Sequence, residues 1–257
     1  MIKNQHFNCI KCLVNPADAD SHVVPNSIRK RMYGEKTEKN KRFAFSYIGR
    51  PELPAQDFPK PKLMCKECDS KFGSDIEKTL PDLLMPADVD NKKSWDELGL
   101  IALNHGPFKE YPPEAQPLLK RNAALIAWKV LHAVARDGNA DLSSFLHTPA
   151  GQTLDRAMLH FIIQQALPPA TISLKEPVLW KIEPKTAAAI TGKDDRLPIS
   201  WAVNYECGKP ETASLFAIFG LWIVGWQFPD STLPLHPALA QWLMHLVEQR
   251  KTSSQAV

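Results

Sequence analysis

The sequence predicts an α+β protein in two parts, and three observations carry that prediction. Four of the five cysteines fall in two Cys-x-x-Cys pairs, at Cys9/Cys12 and Cys65/Cys68. From about residue 94 apolar residues recur at helical spacing, and beyond residue 172 Val, Ile, Trp and Phe gather in short runs separated by turn formers. A small metal-stapled domain over 1–80 is therefore expected, followed over 94–257 by a larger domain of helices packed on a small antiparallel sheet. At 257 residues each part has enough chain to bury apolar surface.

The stretch YIGRPELPAQDFPKPKL, residues 47–63, holds four prolines and reads as a connecting loop, because proline breaks the helical ladder. In CKECDSKFGSDIEKTLPDLL a ligand turn is followed, after Ser74, by a short helix with Asp75 and Glu77 in its first turn and Pro81 at its end. SWDELGLIALNHG has Ser94 and Glu97 at capping-box spacing. EAQPLLKRNAALIAWKVLHAVARDG sets Leu118, Leu119, Ala123, Ile126, Ala127, Val130, Leu131 and Val134 on one broad face, the strongest helical pattern in the chain. TLDRAMLHFIIQQAL is a second helix, ended by Pro168 and Pro169.

EPVLWKIEP, PISWAVNYEC and SLFAIFGLWIVGWQF read as strands, and HPALAQWLMHLVEQRK as a closing helix. His132 and His160 sit inside apolar helical patterns and read as core histidines, and Cys207 as a buried or strand-edge thiol. Trp180, Trp201, Trp222, Trp226 and Trp242 alternate with aliphatic residues as core positions do.

The net charge of +3 points to no particular partner, but its distribution is uneven. Residues 1–80 carry 15 Lys/Arg against 10 Asp/Glu, and the remainder 16 against 18. Four thiolates around one Zn²⁺ subtract two charges and still leave a basic N-terminal part. The start MIKNQHFNC has no apolar signal segment, and ASLFAIFGLWIVGWQF is shorter than the ~18 to 20 residues of a membrane span. A cytoplasmic protein that does not enter membranes is expected, and in a reducing compartment paired cysteines read as zinc ligands before disulfides. Each pair forms a knuckle, and two knuckles make a tetrahedral structural site for Zn²⁺ from Cys9, Cys12, Cys65 and Cys68. The 52 residues between Cys12 and Cys65 must then hold structure of their own.

Within that interval, ADADSHVVPNSIRKRM places His22 just ahead of a Val-Val-Pro turn and a basic helix start. The set C-x-x-C, SHVVP, C-x-x-C over residues 7–78 resembles the zinc-containing form of the HNH, or ββα-metal, nuclease family. The resemblance implies a ββα-type N-terminal fold and a metal-dependent endonuclease acting on a nucleic-acid phosphodiester. In that reading His22 is the general base, and Asp69, directly after Cys68, helps hold a catalytic Mg²⁺ or Mn²⁺. Ser21 stands where the family carries an aspartate, and FPKPKLMC has no counterpart of the middle asparagine. Asp18, Asp20, Asp75 and Glu77 are the carboxylates that could make up the deficit. Arg29, Lys30 and Arg31 are candidate phosphate contacts, which makes nucleic acid, DNA more than RNA, the expected partner. The alternative is a non-catalytic zinc-binding module that docks nucleic acid or a protein.

Overall fold

The computed structural model describes residues 7–28, 45–47, 50–55, 60–84, 101–102, 108–110, 116–163, 172–191 and 197–255. Mixed helix and sheet is what it shows. The centre of the sheet is a four-stranded antiparallel unit, β5 (Val178–Ile182), β6 (Leu197–Glu206), β7 (Lys209–Phe219) and β8 (Trp222–Gln227). Short strands extend both edges: β1 (Phe45–Tyr47) and β2 (Arg50–Ala55) beyond β6, β4 (Phe108–Glu110) and β3 (Ile101–Ala102) beyond β5. The order is β2-β1-β6-β7-β8-β5-β4-β3, antiparallel throughout except where β1 runs parallel to β6.

The continuous apolar run from Ala213 to Phe228 becomes a tight hairpin because Gly220, at φ 65°, turns the chain between Phe219 and Trp222. A run without polar alternation needs both sheet faces covered, and both are. Leu215, Ala217 and Phe219 pack with Trp222, Val224 and Trp226 on one face, toward helix α3 (Gln116–Arg136). Phe216, Ile218 and Ile223 pack on the other, against α6 (Pro184–Thr191) and α7 (Leu235–Gln255). Gly225 lets the Trp180 indole lie close on the sheet, since a Cβ there would come within 2.7 Å of it.

The stretch read as a loop contains the strand β2, with Pro51 and Pro54 in it. Proline is tolerated there because, among the described strands, β2 ends the order and need not donate to a further neighbour. The helix expected after Ser74 instead starts nine residues earlier: α1 spans Lys66–Asp75, followed by a 3-10 turn, Glu77–Thr79, and α2, Leu80–Leu84. Pro81 lies in the first turn of α2, where its missing N–H costs nothing, so it opens a helix rather than ending one. Of SWDELGLIALNHG, residues 94–100 and 103–106 lie outside the described residues, and Ile101–Ala102 is strand. The helices expected over the two long amphipathic segments are α3 and α5 (Pro149–Ile163), with α4 (Ala140–Leu146) between them.

Helix α3 is buried nearly all round from Asn122 to Ala133, as a helix with apolar residues on every side requires. One side meets the sheet. The other meets the cysteine-bearing segment, whose Ile10, Val23, Val24, Ile28, Leu63, Phe72, Ile76, Leu80 and Leu84 belong to the same apolar core. Residues 1–80 and 94–257, read from the sequence as two parts, thus share packing at α3. His132 is a core histidine as expected: it and Trp128 Nε1 both hydrogen-bond Asp155 Oδ1, at 2.8 and 2.6 Å, joining α3 to α5.

Candidate metal centre

The first knuckle is a short hairpin. Asn8 and Pro16 form a bridge, Ala17 N donates to Phe7 O at 2.8 Å, and Cys9 N donates to Asn15 O at 2.8 Å. The chain turns through Leu13, the sole non-glycine residue with positive φ (60°) among the described residues. That turn lets Cys9 and Cys12 point the same way.

The second knuckle is a helix start. Cys65 is the N-cap of α1, yet its side chain makes no cap hydrogen bond. The cap comes from Asp18, whose Oδ1 accepts from Lys66 N at 3.1 Å, so the Cys65 sulfur stays available to the cysteine cluster. Cys68 follows in the first turn of the same helix, which brings its side chain to the same cluster as Cys65. Ile10 N to Leu63 O at 3.0 Å and Ala19 N to Met64 O at 2.9 Å hold the two knuckles together.

The four sulfurs lie within 4.8 Å of one another, with Cys12 and Cys65 4.0 Å apart. A zinc tetrahedron with Zn–S near 2.3 Å has sulfur–sulfur edges of about 3.8 Å, so the donor set fits Zn²⁺ in both number and spacing. The surroundings of the thiols differ. Backbone N–H groups of Asn15 and then Val14 bring Cys12 down to about 7, whereas burial pushes Cys9 and Cys68 up. Four adjoining thiols cannot all ionise on their own; a divalent cation bound among them removes that conflict. Asn15 Nδ2 adds a hydrogen bond to Cys65 Sγ at 3.8 Å.

His22 lies on the segment leading from Asp18, half-buried between the buried Ser21 and Val23. Its main-chain carbonyl accepts from Lys129 Nζ at 2.9 Å. Lys129 is 1% exposed on α3, and it is also ion-paired with Glu77. In the sequence Lys129 is marked only by its place between core positions of the α3 pattern.

The carboxylates considered for a catalytic ion have other partners. Asp18 caps α1, Asp20 pairs with Lys62 at 2.6 Å, Asp75 accepts from Ser74 Oγ at 2.8 Å, and Glu77 pairs with Lys129. The hydrogen bond and charge of Lys62 hold the Asp20 carboxyl below the usual carboxylate range. Ser21 has no solvent exposure, so a carboxylate introduced there would enter the core rather than an open cleft. Asp69 is half-buried on α1. Among the described residues the four cysteines are the only group of three or more His, Cys, Asp and Glu side chains close enough to hold one ion, and neither His22 nor Asp69 belongs to such a group. Arg29, Lys30 and Arg31 lie outside the described residues. Cys207 is an exposed thiol at the turn between β6 and β7.

Comparison of the chain with known protein families, with characterised proteins and with solved structures finds no match. Among the described residues no helix is long and apolar enough to cross a membrane.

Proposed function

We propose that this chain is a zinc-stapled nucleic-acid-docking protein that keeps an HNH-like frame around Cys9, Cys12, Cys65 and Cys68 but does not hydrolyse the phosphodiester it contacts. The observation that carries this reading is the division of labour around His22. Four sulfurs converge on one point, while Asp18, Asp20 and Glu77 serve a helix cap and two lysines. A hydrolytic site needs charged oxygens gathered on Mg²⁺ or Mn²⁺ beside the base, and these carboxylates are engaged in holding the fold. His22 then acts as part of the frame, its carbonyl fastened to Lys129.

Nucleic acid is favoured as partner by the basic surplus of residues 1–80 and by the exposed Lys60, Lys62, Lys66 and Lys71 around the cysteine centre. The hydrolytic reading, with His22 as base and Asp69 as metal-side ligand, is separated by one experiment. The purified full chain is incubated with plasmid DNA and with RNA in Mg²⁺ or Mn²⁺, beside His22→Ala, and both binding and strand integrity are read. Retarded migration at low salt with intact strands, the same for wild type and variant, is expected. Cleavage that disappears in His22→Ala would restore the nuclease reading, and no binding at low salt would remove the docking reading.

A further inference from the structure

Where the zinc segment, the C-terminal end of α3 and strand β6 meet, the structure leaves a cavity of about 440 Å³. This is within the range of small-molecule sites, about 300 to 1,000 Å³, and junctions of this kind are where such sites concentrate. Phe7 and Trp201 line it, and among the described residues its charged lining is Lys60, Lys62 and Arg136 with the carboxylate of Asp137, while Asp20 pairs with Lys62 from outside the lining.

Arg136 is a fixed cation. It donates to Asn8 O at 2.6 Å and to Lys62 O, and its guanidinium sits 4.8 Å from the Phe7 ring centroid. One face of Phe7 is thus covered, while Trp201, unlike the four other tryptophans of the sheet and α7, is only half-buried. Lys62 reaches Asp18 O at 2.9 Å and Asp20 at 2.6 Å, and it retains 55% side-chain exposure.

We infer that this cavity takes one unstacked nucleotide of a single-stranded nucleic acid, the base against Trp201 and the adjoining phosphate at Lys60 and Lys62. This rests on the docking function proposed above and adds where and in what form the strand is held. Three features agree on that class of ligand. An aromatic face accepts any base, since every base offers a π-surface. A net positive lining suits a phosphate. A concave, open-mouthed site suits a base that has left its stack better than it suits a duplex.

The test uses the full zinc-loaded chain and a fluorescent oligothymidylate, with an abasic strand of equal length, a duplex and a polyglutamate peptide as comparisons. Wild type is expected to bind the oligothymidylate at least tenfold more tightly than the abasic strand and to prefer it over the duplex. Trp201→Leu should lose about tenfold, in line with base–aromatic stacking of ~1–3 kcal/mol. Lys60→Glu, with folding checked by circular dichroism, should weaken binding and reduce its salt dependence.

If the abasic strand or the duplex binds as well as the oligothymidylate, and both variants match wild type, the cavity assignment is overturned while nucleic-acid docking stands. If no nucleic acid binds, both fall. Polyglutamate bound as tightly as the oligothymidylate overturns the assignment in favour of an acidic protein partner.

Discussion

The ammonium of Lys129 donates to the main-chain carbonyl of His22 at 2.9 Å, across 107 residues of sequence. With Glu77 as its ion-pair partner, this one side chain ties the His22 segment, the turn after α1 and the buried helix α3 into a single polar contact. The surrounding core makes the contact costly to disturb, because a charge left without its partner in a low-dielectric interior cannot recover its hydration.

Lys129→Met should therefore lower stability by about 3 to 5 kcal/mol, the cost of breaking a buried pair by removing one partner. The double variant Lys129→Met/Glu77→Leu should lose less than the sum of its single changes, since no charge is left stranded. Urea unfolding followed by tryptophan fluorescence measures both. Additive losses would mean the pair is not coupled as described.

Acid sensitivity is expected from Asp155. Burial pushes its carboxyl up, but the charge of His132 and the hydrogen bonds from His132 and Trp128 outweigh burial and leave it below the usual carboxylate range. A depressed carboxylate contributes stability above its unfolded value of about 3.9, and that contribution is lost as pH falls through the lower folded value. Asp155→Asn should lose roughly 1.5 to 3 kcal/mol at neutral pH and flatten the acid limb of the stability curve below pH ~4. An unchanged acid limb would assign the sensitivity to other groups.

Asp18 offers a sharper test of the second knuckle. Asp18→Ala removes the cap on Lys66 N and should cost about 0.5 to 2 kcal/mol. It should also speed zinc release to a chelator, because the cap holds the helix start that carries Cys65 and Cys68. Asp18→Asn, which keeps an acceptor, should restore most of both effects. Equal zinc-release rates in wild type and Asp18→Ala would uncouple the cap from the metal.

Much of this arrangement was legible in the sequence because local chemistry and tertiary role coincide there. The spacing of Cys9/Cys12 and Cys65/Cys68 announces a knuckle pair, and the sulfurs do converge. The helical periodicity of α3 and the β texture of β5–β8 follow from burial that the residues themselves require. Illegible were the features decided by distant partners. Helix α1 starts at Lys66 because Asp18 caps Lys66 N from 48 residues earlier, ahead of the acidic residues Asp75 and Glu77 that mark a start in the sequence. Pro51 and Pro54 sit in a strand because sheet order puts β2 at the edge, which composition cannot show. Glu77 and Asp20 are engaged by Lys129 and Lys62, partners 52 and 42 residues away that sequence spacing does not reveal. Trp201 reads as core from its alternation, and half-burial at a junction is visible only in three dimensions.

The measurement that bears most directly on the account is the zinc content of the purified full chain, taken with its folding after metal removal. One Zn²⁺ per chain is predicted, lost in Cys65→Ser. Because Phe72 and Trp128 pack edge to face at 6.2 Å across the boundary between α1 and α3, metal removal should also change tryptophan emission while most helical signal persists. A chain that purifies without zinc, binds none on titration and keeps the same Trp128 environment would contradict the proposal that metal holds this segment against α3.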